Sequence, residues 1–191
     1  MSALRNQLWL KFFLVVASVL LLSGGWAAEI VSNYSDEILR MAEEDQEVRQ
    51  LGDRQQMMVI DAENTSRLKE LVEKHGWPRI SEHGPRVAHA AWLIAQHAVN
   101  DREFQKEVLL YMRNFVRQGE AIAIDLAYLE DRVSMMESGT QVYGTQGICE
   151  GGKFEIYPVV DEAGLDERRA SLGLMSIAEY KAEGSEILCA D

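Results

Sequence analysis

The sequence predicts an α+β protein, a mainly helical single domain with a β-hairpin near the C-terminal end. Two observations support this prediction. Between residues 35 and 136, apolar residues recur every three or four positions in segments that end at glycines, whereas residues 140–157 are β-prone and interrupted by glycines. A length of 191 residues suits one domain with one core, and no internal repeat or proline-rich linker divides the chain.

The N-terminal half is predicted to form helices separated by short breaks. A first helix is expected over about residues 35–52, because its apolar residues share one stripe. Residues 54–63 should continue as helix, and Thr65 or Ser66 is expected to cap a separate segment. That segment should stop at Gly76, which stands two residues before a proline.

Three further helices are predicted in the middle of the chain. The first begins near Ser81 and runs to about Asn100. Asp101 caps the second, which ends at Gly119, because an aspartate side chain can accept the free N–H groups of a first turn. The third runs over about residues 120–136.

The C-terminal part changes from helical to β-prone sequence. Residues 140–146 and 153–157 are predicted to be the two strands of the hairpin, joined by the glycine-rich run GICEGG. A turn and short helix should follow over residues 161–172, and Ser176 should cap a last helix.

The first 27 residues have the pattern of a Sec-type export signal. Arg5 and Lys11 are followed by an apolar stretch over residues 12–22 and then by small residues that suit cleavage after Ala27. The apolar stretch is shorter than the roughly 20 residues that span a bilayer, which disfavours an uncleaved anchor. The expected mature domain therefore covers residues 28–191, in the periplasm or secreted.

The mature domain would carry a net charge of −14, since the signal removes two cations from a chain of net charge −12. Such a charge argues against nucleic acid as a partner and against a stable membrane anchor after cleavage. Export would also place the two cysteines in an oxidising compartment. We therefore expect Cys149 and Cys189 to form a disulfide.

Polar side chains concentrate beside the apolar faces of two predicted helices. In the helix that ends near Asn100, His89 and His97 lie in a polar stripe next to a face of small apolar residues. In the helix over 120–136, Asp125, Tyr128 and Arg132 form a comparable stripe. If the two faces pack together, His97, Arg132 and an acid would share a pocket. The predicted strand 140–146 adds neutral polar groups that would point one way: Gln141, Tyr143 and Thr145.

Several chemistries are excluded by the absence of their motifs, among them the GxSxG nucleophile, the P-loop, the dinucleotide fingerprint, HExxH and CxxC. His97 and Asp101 have a spacing that suits a metal on a helix, with His89 two turns earlier. No specific third ligand accompanies them, so no metal site is predicted. The sequence implies no cofactor, and it names no reaction, substrate, partner protein or oligomeric state.

Five short blocks follow one another along the chain: GWP at 76–78, AWLIAQHA at 91–98, AYLEDRV at 127–133, QVYGTQ at 141–146, and the stretch from Arg168-Arg169 to Tyr180. In order and spacing they are similar to the bacterial family called domain of unknown function 6624, over about residues 60–181. The family implies no established activity. The resemblance suggests these characteristic polar positions: Gln96, His97, Asp131, Arg132, Gln141, Tyr143, Gly144, Thr145 and Gln146.

Two functions are compatible with these residues. The first is an exported hydrolase or transferase, in which His97 is the general acid–base and Asp131 or Asp101 orients it. In that case Arg132 would hold an anionic group of the substrate. The remaining polar side chains would bind a small polar or anionic ligand: Gln96, Gln141, Tyr143, Thr145 and Gln146.

The second function is a secreted structural or protein-interaction domain, in which the same residues form an internal hydrogen-bond network. The two alternatives differ in burial. An open pocket at His97 and Arg132 favours the first, and full internal pairing favours the second.

Overall fold

The fold was analysed in a computed structural model, which describes residues 33–189. The predicted signal segment and its cleavage site at Ala27 lie outside these residues, so the export signal remains a prediction. Within the described part, no helix combines the length and the apolar character that a membrane crossing requires.

The described residues form eight helices and one two-stranded antiparallel hairpin, which confirms the α+β prediction. In chain order the elements are α1 (33–51), α2 (Arg54–His75), α3 (Ile80–His83), α4 (Pro85–His97), α5 (Arg102–Arg117), α6 (Ala123–Ser138), β1 (Gly147–Glu150), β2 (Lys153–Ile156), α7 (Leu165–Ser171) and α8 (Ile177–Leu188).

Helix α2 is continuous where the sequence predicted two segments. Asp53 caps it, because its side chain accepts the backbone N–H groups of Gln55 and Gln56 at 3.0 Å. The predicted cap at Thr65 or Ser66 is wrong. Thr65 Oγ1 donates to the carbonyl of Asp61 one turn earlier, at 2.6 Å, so the hydroxyl is satisfied inside the helix and the backbone continues.

The predicted helix from Ser81 to Asn100 is divided. Gly84 separates α3 from α4 with a φ of 81°, a conformation that favours glycine, and α4 ends at His97. The predicted cap of α5 is confirmed, since the Asp101 side chain accepts the N–H of Phe104 at 3.0 Å.

The hairpin lies several residues later than predicted. β1 occupies most of the run that the sequence assigned to the turn, and it pairs with β2 in a register that sets Gly147 opposite Ile156. The actual turn is Gly151-Gly152. The predicted first strand, 140–146, is wrong: it is a loop whose only β-pairing in the described structure is one bridge between Gln141 and Val159.

The reason for this shift is the carboxylate of Asp131 on α6. It accepts the backbone N–H groups of Val142, Tyr143 and Thr145 at 2.7–2.9 Å. Backbone groups that are bound to a side chain cannot also take part in a strand ladder. The segment therefore wraps around one carboxylate instead of extending along β2.

The core is centred on α4, which contacts α2, α5 and α6. The small and aliphatic face that the sequence assigned to this helix is buried: Val87, Ala90, Ala91, Ile94, Ala95 and Ala98. A second packing centre lies at the hairpin, where Phe154 of β2 fits between Gly147 of β1 and Gly184 of α8.

The predicted disulfide between Cys149 and Cys189 is present, with a Cα–Cα distance of 5.5 Å. Cys149 lies on β1 opposite Phe154, not in the hairpin turn, and Cys189 follows the end of α8. The bridge therefore fastens the last helix to the hairpin.

Candidate functional site

The polar stripe that the sequence assigned to α6 faces α4, but on α4 only His89 of the predicted stripe takes part in the contact. In each contacting pair the α6 residue follows the α4 residue by 36 positions, so the two helices run in the same direction. Three pairs join them, namely His89 with Asp125 at 2.9 Å, Trp92 with Tyr128 at a ring distance of 6.2 Å, and Gln96 with Arg132. We assign the Gln96 amide so that its oxygen accepts from Arg132 Nε at 2.8 Å, because this orientation gives both amide atoms suitable partners.

Arg132 therefore faces Gln96, not His97. It is largely buried and has no carboxylate partner among the described residues. Burial, together with the charge of Arg49, lowers the pKa of Arg132. These contacts place Arg132 between the two helices.

His97 is held by an acid that the sequence analysis did not identify. Its Nδ1 lies 2.9 and 3.0 Å from the two carboxylate oxygens of Asp45 on α1. The Asp45 side chain is only 2% exposed, whereas that of His97 is 20% exposed. Since an ionised carboxylate only accepts hydrogen bonds, we assign the Nδ1 proton to this contact, which leaves Nε2 as the second ring nitrogen for other chemistry.

The two acids predicted to orient His97 have other partners. Asp101 caps α5 and pairs with Lys69 at 2.5 Å. Asp131 binds the loop over 141–146. The prediction that one of them contacts His97 is therefore corrected by the structure, which supplies Asp45 instead.

Arg49, one turn after Asp45 on α1, completes the cluster. Its Nη2 donates to Asp45 at 3.0 Å and to Asp61 of α2 at 2.5 Å. Arg49 Nε also lies 3.1 Å from His97 Nδ1 and 3.3 Å from Asp45 Oδ2. Two donors do not bond each other, so we assign both nitrogens as donors to the Asp45 carboxylate.

The two carboxyl groups of this cluster differ in acidity. Burial by itself would raise the pKa of Asp45, but the hydrogen bonds from His97 and Arg49 outweigh burial and lower this pKa to about 2. Asp61 is affected in the opposite direction: burial raises its pKa despite the charge of Arg49, and the neighbouring Asp45 carboxylate adds to the increase. Asp45 is therefore firmly ionised, and Asp61 holds a proton more readily than an ordinary aspartate.

Asp45, Asp61 and His97 each offer one ligand atom within 4.8 Å of the others, a spacing that suits a metal ion. The guanidinium of Arg49, however, already bonds both carboxylates. Both carboxyl groups are thus already paired with one cation of the protein itself. A metal would have to displace Arg49, so this donor set fits a hydrogen-bonded cluster better than a metal site.

His97 and Asp61 line a cleft of about 450 Å³ next to α2 and the α4–α5 connection. This volume is within the usual range for small-ligand sites. The lining also contains these polar groups, three of them acidic: Thr65, Ser66, Lys69, Glu70, Glu73, Asn100 and Asp101.

The predicted ligand-binding residues of the loop over 141–146 are mostly occupied with one another. The Gln141 side chain is fully buried; it donates to the carbonyls of Gln146 and Tyr157 and accepts the N–H of Gln146, all at 2.8 Å. Thr145 Oγ1 donates to Asp131 at 2.9 Å and accepts from the Gln146 side chain at 3.1 Å. No hydrogen bond within residues 33–189 joins this loop to His97.

Tyr143 and Gly144 of the same loop also have internal surroundings. Burial, with the nearby Glu130 and Asp131 carboxylates, raises the pKa of Tyr143. A Cβ at Gly144 would lie 3.1 Å from Ile177 Cδ1 and 3.3 Å from Ile156 Cδ1, in a backbone with a φ of 69°. Side chains of the protein itself therefore pack directly against this glycine.

Three residues of the cluster were missed at the sequence level: Asp45, Arg49 and Asp61. They precede His97 by 36 to 52 positions. They lie in helices that were predicted from their apolar residues alone. The one local signal was the spacing of Asp45 and Arg49, four residues apart beside the buried stripe of α1.

Neither the search of curated proteins nor that of solved structures found a match. A family model does match residues 32–184, which includes α1 and therefore Asp45 and Arg49. The matched region extends further toward the N-terminus than the resemblance noted from the sequence blocks. The chain belongs to DUF6624, a family of unknown function.

Proposed function

We propose that this chain is an exported enzyme of the hydrolase or transferase class, in which His97 acts as a general acid–base. One observation carries the proposal: a buried, ionised aspartate holds Nδ1 of a histidine whose ring reaches an open cleft. A histidine fixed in this way can take a proton at Nε2 and return it to a leaving group.

The other members of the cluster have supporting roles in this proposal. Asp45 orients the ring and stabilises the imidazolium that forms when Nε2 takes a proton. Arg49 keeps Asp45 ionised. Asp61 has a raised pKa and lines the same cleft, so it is suited to donate a proton. Neighbouring carboxyl groups with separated pKa values are a common arrangement for acid–base chemistry.

The contacts revise the role first given to Arg132. Arg132 does not line this cleft, and Lys69, which does, already pairs with Asp101. Because Asp61, Glu70 and Glu73 also line the cleft, it suits a neutral or cationic group of a substrate better than an anionic one. Arg132, Gln96 and the polar residues of the loop support the arrangement of α4, α6 and the hairpin.

Export is part of the proposal. The apolar N-terminal segment supports it, and so does the Cys149–Cys189 disulfide, because such bridges persist mainly in oxidising compartments. N-terminal sequencing of the protein from the envelope or medium should give a chain that starts at Ala28. A full-length product confined to the cytoplasm would contradict export.

A ligand-binding domain without chemistry is the second candidate. The observation that favours it is that Asp61, the proposed proton donor, already bonds Arg49, while the cleft has the volume of a small-ligand site. The internal pairing of the loop over 141–146 instead supports the structural alternative for those residues. Both candidates use the same cleft, and they differ in whether a bound compound is converted.

The test is a panel of fluorogenic esters, phosphate esters, glycosides and peptides assayed with the mature protein. The key variant is His97→Gln, and the matched control is His89→Gln, which breaks the other His–Asp pair of α4 outside the cleft. Loss of a general acid–base should lower turnover by about 100-fold or more in His97→Gln only. Binding without conversion, lost in His97→Gln, would favour the second candidate, and equal effects of both substitutions would contradict the proposal.

A further inference from the structure

A second cavity lies away from His97, between the start of α6, the α7–α8 connection and α8. Its volume is about 460 Å³. Its walls are largely apolar, and several of the large side chains that form them are exposed: Ile124, Met175, Ile187 and Leu188. We call it the α8 groove. A groove of this size with an apolar wall is typical of small-ligand sites.

Arg169 of α7 is part of the lining of this groove, and it is fully buried. Its Nε donates to the carbonyl of Met175 at 2.7 Å, and Nη1 donates to the carbonyl of Tyr143 at 2.6 Å. Its guanidinium stacks on the ring of Tyr180, 4.8 Å from the ring centre. The third nitrogen, Nη2, has no hydrogen-bond partner within residues 33–189.

Arg169 also lacks an acid. Its neighbour Arg168 pairs with Asp161 at 3.0 Å, whereas no carboxylate of the described residues forms an ion pair with Arg169. Burial lowers the pKa of Arg169, which reflects the cost of keeping this charge away from water. A buried cation with an unpaired NH2 group is expensive, and an added carboxylate would relieve that cost.

We propose that the α8 groove binds a small amphipathic carboxylic acid. Its carboxylate pairs with Nη2 of Arg169, and its hydrocarbon part lies along Ile124, Leu174 and Ile187. The apolar wall and the buried charge together specify this class, because an apolar molecule without an anion leaves Arg169 unpaired and a fully polar anion leaves the wall exposed. Since the Arg169 side chain lines the groove but is fully buried, the α7–α8 connection shifts when the acid binds.

Glu183 allows a test of whether the ligand of the α8 groove carries a negative charge. It lies at the exposed side of the groove lining. A carboxylate at the entrance repels an anionic ligand, so Glu183→Gln should strengthen binding of the acid by about two- to threefold, with screening by salt. The same change should leave an uncharged ligand unaffected.

The experiment is calorimetric titration of the mature, disulfide-bonded protein with octanoate and, separately, with 1-octanol. We expect saturable binding of octanoate at one site and binding of 1-octanol at least tenfold weaker. Ile187→Glu should weaken octanoate binding at least tenfold. Leu110→Glu is its matched control, because Leu110 is 65% exposed and Ile187 is 66% exposed, and Leu110 lies on α5 outside the groove.

Arg169→Lys is a further variant, to be used only if its circular dichroism spectrum matches that of the parent, since Arg169 also fixes the loop. Three outcomes would overturn the proposal: no saturable octanoate binding with a Kd below about 1 mM, equal binding of octanoate and 1-octanol, or equal weakening by Ile187→Glu and Leu110→Glu. None of these measurements depends on activity at His97, so the groove and the proposed enzyme can fail separately.

Discussion

His97 and Asp131 lie on two helices that contact each other, yet their surroundings are opposite. Asp131 is 0% exposed and accepts four hydrogen bonds, all from the loop over 141–146. His97 has one buried carboxylate partner and reaches a cleft. The polar sequence blocks thus contain a structural group around Asp131 and a candidate reactive group around His97. The two groups differ in whether their side chains are accessible to solvent.

The polar residues around Asp131 and those around His97 therefore need different interpretations. The residues around Asp131 resemble a ligand-binding set in composition, but their hydrogen bonds are made within the protein. The residues around His97 come from three helices, and His97 itself lines a cleft. Substitutions in the first region should therefore affect folding, and substitutions in the second should affect function more than folding.

Loss of the disulfide should reduce stability more than either of the substitutions that follow. Removing the disulfide with Cys149→Ser and Cys189→Ser should lower the free energy of unfolding by about 4 kcal/mol, the chain-entropy value for a separation of 40 residues. Urea titration measures the change. Wild-type protein in reductant is the control and should match the variant. A loss below about 1 kcal/mol would show that the bridge constrains the unfolded chain little.

The next effect tests the loop itself. Asp131→Asn replaces one accepting oxygen by an amide that must face backbone donors, so the free energy of unfolding should fall by about 3 kcal/mol. The same chemical change at the exposed Asp161, which pairs with Arg168, should cost less than about 1 kcal/mol. Equal stabilities of the two variants in urea titrations would contradict a structural role for Asp131.

The smallest effect concerns the pH dependence of the His97 region. The pKa of Asp45 is about 2 in the folded protein, below its ordinary value of 3.8. A lowered folded-state pKa stabilises the protein above the unfolded-state pKa, and this stabilisation is lost as pH falls through the folded-state value. The stability difference between the wild type and Asp45→Asn should therefore be about 2 kcal/mol at pH 6 and should shrink between pH 4 and pH 2.

Glu44→Gln is the control for this series, since it removes an exposed carboxylate of the same helix that pairs with Arg40 and should cost less than about 1 kcal/mol. Urea unfolding at each pH measures both variants. A difference between the wild type and Asp45→Asn that is the same at pH 6 and pH 2 would contradict the role assigned to the Asp45 carboxylate.

Features whose cause lies within a few residues were predictable from the sequence. Asp101 and Ser176 cap their helices as expected, and Ser176 forms a reciprocal capping pair with Glu179. The buried face of α4 was predictable because it depends only on helical periodicity. The disulfide could be predicted because no third cysteine competes.

Features set by distant contacts were not predictable. The partner of His97 lies 52 positions away in α1, and no local pattern connects the two residues. The residues over 140–146 are suitable for a strand. Their N–H groups donate instead to Asp131, which precedes the residues that it binds by 11 to 14 positions. In both cases one buried carboxylate decided the outcome, and its position depends on tertiary packing.

The packing of Phe154 between two glycines has a consequence for how related chains should diverge. A Cβ at Gly184 would lie 2.8 Å from the Phe154 ring, whereas one at Gly147 would meet both that ring at 2.7 Å and the Glu155 carbonyl at 2.5 Å. A smaller residue at 154 makes room at position 184 but cannot move the carbonyl next to position 147. Among homologues, a residue larger than glycine at position 184 should therefore occur together with a residue smaller than phenylalanine at position 154. Position 147 should remain glycine regardless of the residue at position 154.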